Sequence, residues 1–370
     1  MSDPANGSPR RHGRARRRDR REVARQRIGV ATLVAVGLVV GAWFLASRPP
    51  GSPSAEPSGS MQPVAPVSDM VLLTVKADSP FAAIVGTGKG RPSVVVALPF
   101  NLLADLPGTG SGTVAASVRE SSDFARAAVS NLLGAWIPHY AEMDMQMLSD
   151  VVEQQGGITL DLPRVVRVSE VMMGPGPTVF SGPEVEAYLQ EATSGERNAR
   201  WEQVLAVLFH EGFTLPNDAV SDDPIAVRES LRSAKRAAVI EFPSTLSQGG
   251  YRVANDETTQ EMLASTFGVS GTLPVHVILL SGLDRPVLAT AATVDLVPAG
   301  FRVVAYGEAR GLHHQTTLVY AGSEESVPDA RRIVEALGVG RVYTTKQQSG
   351  LADLRVVVGR DYLDSVRAGA

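Results

Sequence analysis

Two arginines three residues apart, Arg197 and Arg200 in the run ERNARWEQVL, are the side chains whose type and spacing most readily suggest chemistry. Residues i and i+3 of a helix share a face, and two guanidiniums on one face offer charged, fork-shaped donors to an anion. The same spacing also suits a solvated helix face, with the arginines paired to Glu196 or Glu202. Sequence spacing alone leaves both readings open.

Other candidate motifs carry less. The chain has no cysteine, which excludes disulfides, thiolate nucleophiles and thiolate metal sites. Gly86, Gly88 and Gly90 do not form a phosphate loop, because no glycine precedes Gly88-Lys89 at the required spacing and Gly90 stands where a Ser or Thr is needed. Gly108, Gly110 and Gly112 lack the following helix start of a dinucleotide fingerprint. His313-His314 sit in a glycine-flanked stretch with no further ligand at metal spacing, which reads as a surface turn. No Gly-x-Ser-x-Gly elbow marks a nucleophile. No residue is therefore assigned a catalytic or metal-ligating role.

The elements that must position the arginine pair follow from patterning. Val71 opens VLLTVK and Ser93 opens SVVVALP, with the Gly86–Gly90 segment between them, which predicts a β-hairpin. Phe124, Ala127, Ala128 and Leu132 recur at helical steps up to Gly134. A second helix is expected after the cap Asp144, with Met147, Leu148, Val151 and Val152 as its stripe and Gly156-Gly157 as its stop before the strand ITLDLP. Met143, Met145 and Met147 read as core filler. Further helices are expected at 182–192 and 197–210. From Pro274 onward strands and helices alternate: VHVILL, a helix at 287–297, FRVVAY, TTLVY, a helix at 324–337, VYTT and LRVVVG. This is the pattern of an α/β domain.

Charge and hydropathy organise the rest. Residues 1–27 hold ten arginines against Asp3, Asp19 and Glu22, a net of +7, so with −4 overall the remainder carries −11. Ile28 to Ala46 follow without a charge, long enough at about 1.5 Å per residue to cross a bilayer. The positive-inside rule then predicts a cytoplasmic tail at 1–27, a single transmembrane helix at 28–47 and everything later outside the cell membrane. A Pro, Gly and Ser-rich linker spans 48–66. The acidic outer region lacks the basic face that nucleic acid requires, so no nucleic acid is expected as a partner.

The stretch IPHYAEMDMQMLSDVVEQQGGITLDLP, 137–163, resembles the LytR-CpsA-Psr (LCP) family in its Tyr, its helix and its Gly-Gly before a strand ending in Pro. Val67-Ser68-Asp69 with VLLTVK, the segment ALPFNLLADLPG, and GPEVEAYL with ERNARWEQVL are similar to further family segments. Residues 274–362, closing in VVVGRDY, resemble the LytR carboxy-terminal domain. The resemblance implies an α/β chain with an LCP-like α/β/α domain at 67–268 and a small α/β domain at 274–364. It also implies a polyprenyl pyrophosphate ligand and, in active members, magnesium-dependent transfer of a glycopolymer to peptidoglycan.

Matched position by position, most of the family's charged residues are replaced. The Arg-Asp pair is Phe100-Asn101; other expected arginines are Val67, Gln190 and Ala192; an expected Lys and Asn are Gly112 and Val114. Asp69, Arg197 and Arg200 remain as the ligand-binding candidates the resemblance implies. The expectation is a membrane-anchored cell-envelope protein that binds or scaffolds without catalysis, with membrane lipid and a polyprenyl-linked lipid or cell-wall polymer as partners. The rival is an active phosphotransferase, and only then is magnesium implied.

Overall fold

A computed structural model describes residues 70–87, 91–269, 274–283, 285, 287–311, 313–345 and 352–369. The basic tail, the apolar span at 28–47, the linker, Val67 and Asp69 lie outside the described residues. Among the described residues no helix is long and apolar enough to cross a membrane.

The amino-terminal half is a six-stranded mixed sheet with helices on both faces. Its order is Val220–Ser221, His139–Asp144, Val71–Lys76, Phe81–Thr87, Ser93–Leu98, Ala238–Glu241. Val71–Lys76 sits near the middle, parallel to His139–Asp144 and antiparallel to Phe81–Thr87. A strand buried on both faces must be apolar almost throughout. Val71, Leu73 and Val75 pack into one core, with Leu148, Val152, Trp201, Leu205 and Val227 from the helices on that side. Met70 and Leu72 pack into the other, with Val118, Ala128, Leu132 and Leu263. Thr74, the one buried polar position of this strand, bonds Ser122 and the Ala141 carbonyl.

The expected hairpin is corrected in one respect. Val71–Lys76 and Ser93–Leu98 are not neighbours, because Phe81–Thr87 lies between them and pairs with both. Alanines have weak strand preference, so FAAIVGT did not read as a strand. Its burial between two neighbours makes it one, with Phe81, Ala82, Ala83, Ile84 and Val85 all inside.

The helices follow their sequence signals closely. Ser122–Leu133 ends on Gly134 in the left-handed region at φ 63. Met145–Gln154 starts with the Asp144 carboxylate accepting from the Met147 N–H at 2.8 Å. Met143 and Met145 are buried, and Met147 packs at the rim of the same core.

The carboxy-terminal half builds a second sheet in the order Phe301–Glu308, Val275–Ser281, Leu354–Val358, Leu318–Ala321, Arg341–Thr344. Helices Val287–Leu296 and Val327–Leu337 connect its parallel pairs, and Arg360–Gly369 closes the chain. The core contains Val277, Phe301, Val319, Ile333, Val356 and Tyr362. Asp361 anchors the last helix by accepting from the Thr317 N–H and hydroxyl. His313 is exposed, with φ 91, in the turn expected there.

Candidate functional site

Helix Arg197–Glu211 carries both candidate arginines, and the structure gives them different surroundings. Trp201 fixes this helix to the sheet, its indole N–H donating to the Ala82 carbonyl at 3.1 Å and its ring 5.1 Å from that of Phe81. Arg200 is buried. One guanidinium nitrogen donates to the Tyr188 carbonyl at 2.6 Å and another to Glu196 at 3.2 Å, while the group lies 4.5 Å above the Tyr188 ring. It ties its helix to Gly182–Gln190.

Glu196 collects cations and hydroxyls. Its carboxylate accepts from the Thr193 hydroxyl at 2.8 Å and pairs with Arg164 and Arg200. The Thr193 hydroxyl bond chiefly holds its pKa below the usual carboxylate value, with Thr193 N–H, Arg200 and Arg164 adding to it against partial burial. Tyr188 extends the network, donating to Gln203 at 2.9 Å, and Gln203 donates to the Asp161 carbonyl at 2.6 Å. Burial raises the Tyr188 hydroxyl pKa, so it stays a neutral donor.

Arg197 points elsewhere. It donates to the Ala192 carbonyl at 3.0 Å, and its guanidinium lies 4.8 Å over the ring of Phe100. Its Nε is buried without a hydrogen-bond partner. Burial first, and Arg119 second, lower its pKa from the usual value. Phe100 thus stands against the cation.

Asn101 is held as well. Its amide nitrogen donates to the Gly250 carbonyl at 2.7 Å and its backbone carbonyl accepts from the Arg252 N–H at 3.0 Å. Asn198 joins the two segments: its side-chain oxygen accepts from the Phe100 N–H at 3.2 Å and its amide nitrogen lies 3.5 Å from the Asn101 oxygen. Glu202 forms no salt bridge with either arginine among the described residues. Burial lifts its carboxyl pKa, Glu241 adds to the rise and Arg252, which pairs with Glu241 at 2.7 Å, opposes it.

The structure therefore brings Arg197 to Phe100, Asn101 and Asn198, and gives Arg200 to Tyr188 and Glu196. Asp69 lies outside the described residues. In sequence Asn101 is marked only as the residue in place of an expected aspartate, Tyr188 is not marked as a site residue, and only the position of Asn198 between the two arginines hints at it. Magnesium calls for carboxylate oxygens, yet the groups around Arg197 are an aromatic ring and neutral amides. Among the described residues no group of three or more Asp, Glu or His side chains gathers. This donor set does not fit the metal, and no step is derived through it. A cleft of about 380 Å³ opens at the other end of the same helix, beside His210, Glu211, Gln155 and Ile158, and contains neither arginine.

Residues 274–362 match the family model described as LytR cell envelope-related transcriptional attenuator. No curated protein matches the chain. Among solved structures, B. subtilis TagV is 16% identical at a TM-score of 0.45, covering 55% of this chain and 98% of that one. A LytR-Csp2A-Psr enzyme from Actinomyces oris is 16% identical at 0.45, covering 53% and 88%. B. subtilis TagT is likewise 16% identical at 0.45, covering 57% and 96%. The carboxy-terminal resemblance read from the residues and the matched family model coincide over 274–362.

Proposed function

We propose that this chain is a membrane-anchored cell-envelope protein whose outer region is a non-catalytic binding or scaffolding relative of the LCP glycopolymer transferases. The match of residues 274–362 to a cell-envelope family supports the setting. The apolar span at 28–47, behind an arginine-rich tail, supports an anchor with the bulk of the chain outside. We further propose that 67–268 and 274–364 are separate domains.

The observation that carries the non-catalytic reading is the pair Phe100 and Arg197. A phosphoryl transfer site works by positioning and by compensating charge. Here an aromatic ring covers the guanidinium at 4.8 Å, and Asn101 is a neutral amide engaged with Gly250. Arg197, with its unpartnered Nε and the charge of Arg119 close by, keeps a local excess of positive charge. That favours retention of an anionic ligand, a polyprenyl-linked lipid or a cell-wall polymer, over its turnover.

Equilibrium binding of a short-chain polyprenyl pyrophosphate to the full chain in detergent tests this. Arg197→Ala is expected to weaken binding several-fold, whereas Arg200→Ala lowers stability more than affinity. Affinity unchanged in a folded Arg197→Ala protein overturns the assignment of the ligand to this place.

A further inference from the structure

The three helices of the carboxy-terminal half pack on one face of its sheet, where Leu288, Ile333 and Tyr362 meet Val277, Val319 and Val356. Strand side chains alternate between faces, so Ile278, Arg355 and Tyr320 belong to the opposite one. Register aligns them with Tyr343 in a single row across four strands: Ile278 beside Arg355, Arg355 beside Tyr320, Tyr320 beside Tyr343. The Arg355 guanidinium lies 5.5 Å from the Tyr320 ring, and the Tyr320 and Tyr343 rings are 5.9 Å apart. Tyr343 is 44% exposed on the edge strand Arg341–Thr344. Arg341, on the same face one row along beside Leu318, is exposed too.

The amino-terminal half bounds this face at one side, where His276 and Arg302 turn toward Asp256. From that wall the row runs out to the edge strand. Neither Arg341 nor Arg355 forms a salt bridge with a described carboxylate. Asp353, two residues before Arg355, is engaged by the His276 N–H at 3.2 Å. In a region that carries −11 outside the basic tail, two guanidiniums flanking two tyrosine rings form a cationic aromatic strip.

We propose that this strip binds an anionic polysaccharide strand. Aromatic faces take the apolar C–H faces of sugar rings, as they take other flat apolar groups, and adjacent strands about 4.8 Å apart present Tyr320 and Tyr343 at a spacing comparable with one sugar unit. Arg341 and Arg355 meet the carboxylates or phosphates of the polymer with paired, charge-assisted hydrogen bonds. The site belongs to a different half of the chain from Phe100 and Arg197 and stands independently of the lipid reading there.

The test uses full-length protein in detergent micelles, titrated with oligogalacturonate and, in parallel, with neutral dextran oligomers of equal length. Oligogalacturonate binds, and raised salt weakens it because the partners are exposed charges. Tyr343→Ala and Arg341→Ser each reduce affinity at least fivefold with unchanged melting temperature, since both side chains are exposed. Arg341→Lys retains part of the affinity. Unchanged affinity in both variants, no binding of oligogalacturonate, or dextran binding of equal strength overturns the proposal.

Discussion

Asn131, buried on helix Ser122–Leu133, closes both hydrogen bonds of one residue on an edge strand 172 positions away: its amide nitrogen donates to the Val303 carbonyl and its oxygen accepts from the Val303 N–H, each at 2.7 Å. Phe301–Glu308 is the outer strand of the carboxy-terminal sheet, and its unpaired backbone would otherwise be a liability. The Asn131 amide stands in for a neighbouring strand and joins the two halves of the chain.

Replacing Asn131 with Leu removes both partners at once and leaves two buried backbone groups unsatisfied. At about 1–3 kcal/mol for each such group, the expected loss is about 2–6 kcal/mol of stability, read from the urea midpoint of the full chain. A loss below about 0.5 kcal/mol, the usual range of a surface change, would show that water serves Val303 equally well.

The carboxy-terminal half has its own buried core, from Val277 to Leu363. Residues 270–370 expressed alone are expected to melt in one cooperative transition, below the melting temperature of the whole, because Asn131 and the Asp256 partner of Arg302 are lost. An unstructured fragment with no transition would contradict a boundary at 269–274.

Glu196 has a pKa held below its ordinary value of 4.5, chiefly by the Thr193 hydroxyl. A depressed carboxyl binds fewer protons folded than unfolded, so its contribution to stability is complete above the unfolded value and is lost as pH falls through the folded one. Glu196→Gln should therefore be less stable than the parent at pH 7, with the difference shrinking below about pH 4.5. A difference that is constant from pH 7 to pH 3 would show that the carboxylate charge plays no part.

Much of this fold is legible because its signals are local. Asp144 as cap and Gly156-Gly157 as stop fix Met145–Gln154 before any tertiary contact is known. Phe81–Thr87 was not legible, since its strand character comes from neighbours on both sides and not from its alanines. Helix Arg360–Gly369 was missed for a similar reason, its start being fixed by Asp361 reaching Thr317 across 44 residues. At the site, spacing put Arg197 and Arg200 on one helix. It could not show that the chain folds back at 188–196 so that the Tyr188 carbonyl and Glu196 engage Arg200 and leave Arg197 to Phe100.

The anchor assignment rests on charge asymmetry about the apolar span. In a chain without native cysteine, Ser58→Cys should react with a membrane-impermeant thiol reagent on intact cells. Protection until lysis would place the folded region inside and remove the envelope role.

The central claim, an outer region that binds without catalysing, is tested most directly by assaying the full-length protein in detergent for magnesium-dependent cleavage or transfer of a polyprenyl pyrophosphate-linked glycan. Each charge-assisted contact to phosphate is worth about 1.5–3 kcal/mol, and each 1.4 kcal/mol lost in the transition state costs about tenfold in rate. With Val67, Phe100, Gln190 and Ala192 at the positions where the resemblance implies arginines, the account predicts no turnover above the protein-free control with either magnesium or manganese. Turnover that Asp69→Ala abolishes would contradict it and identify a working transferase.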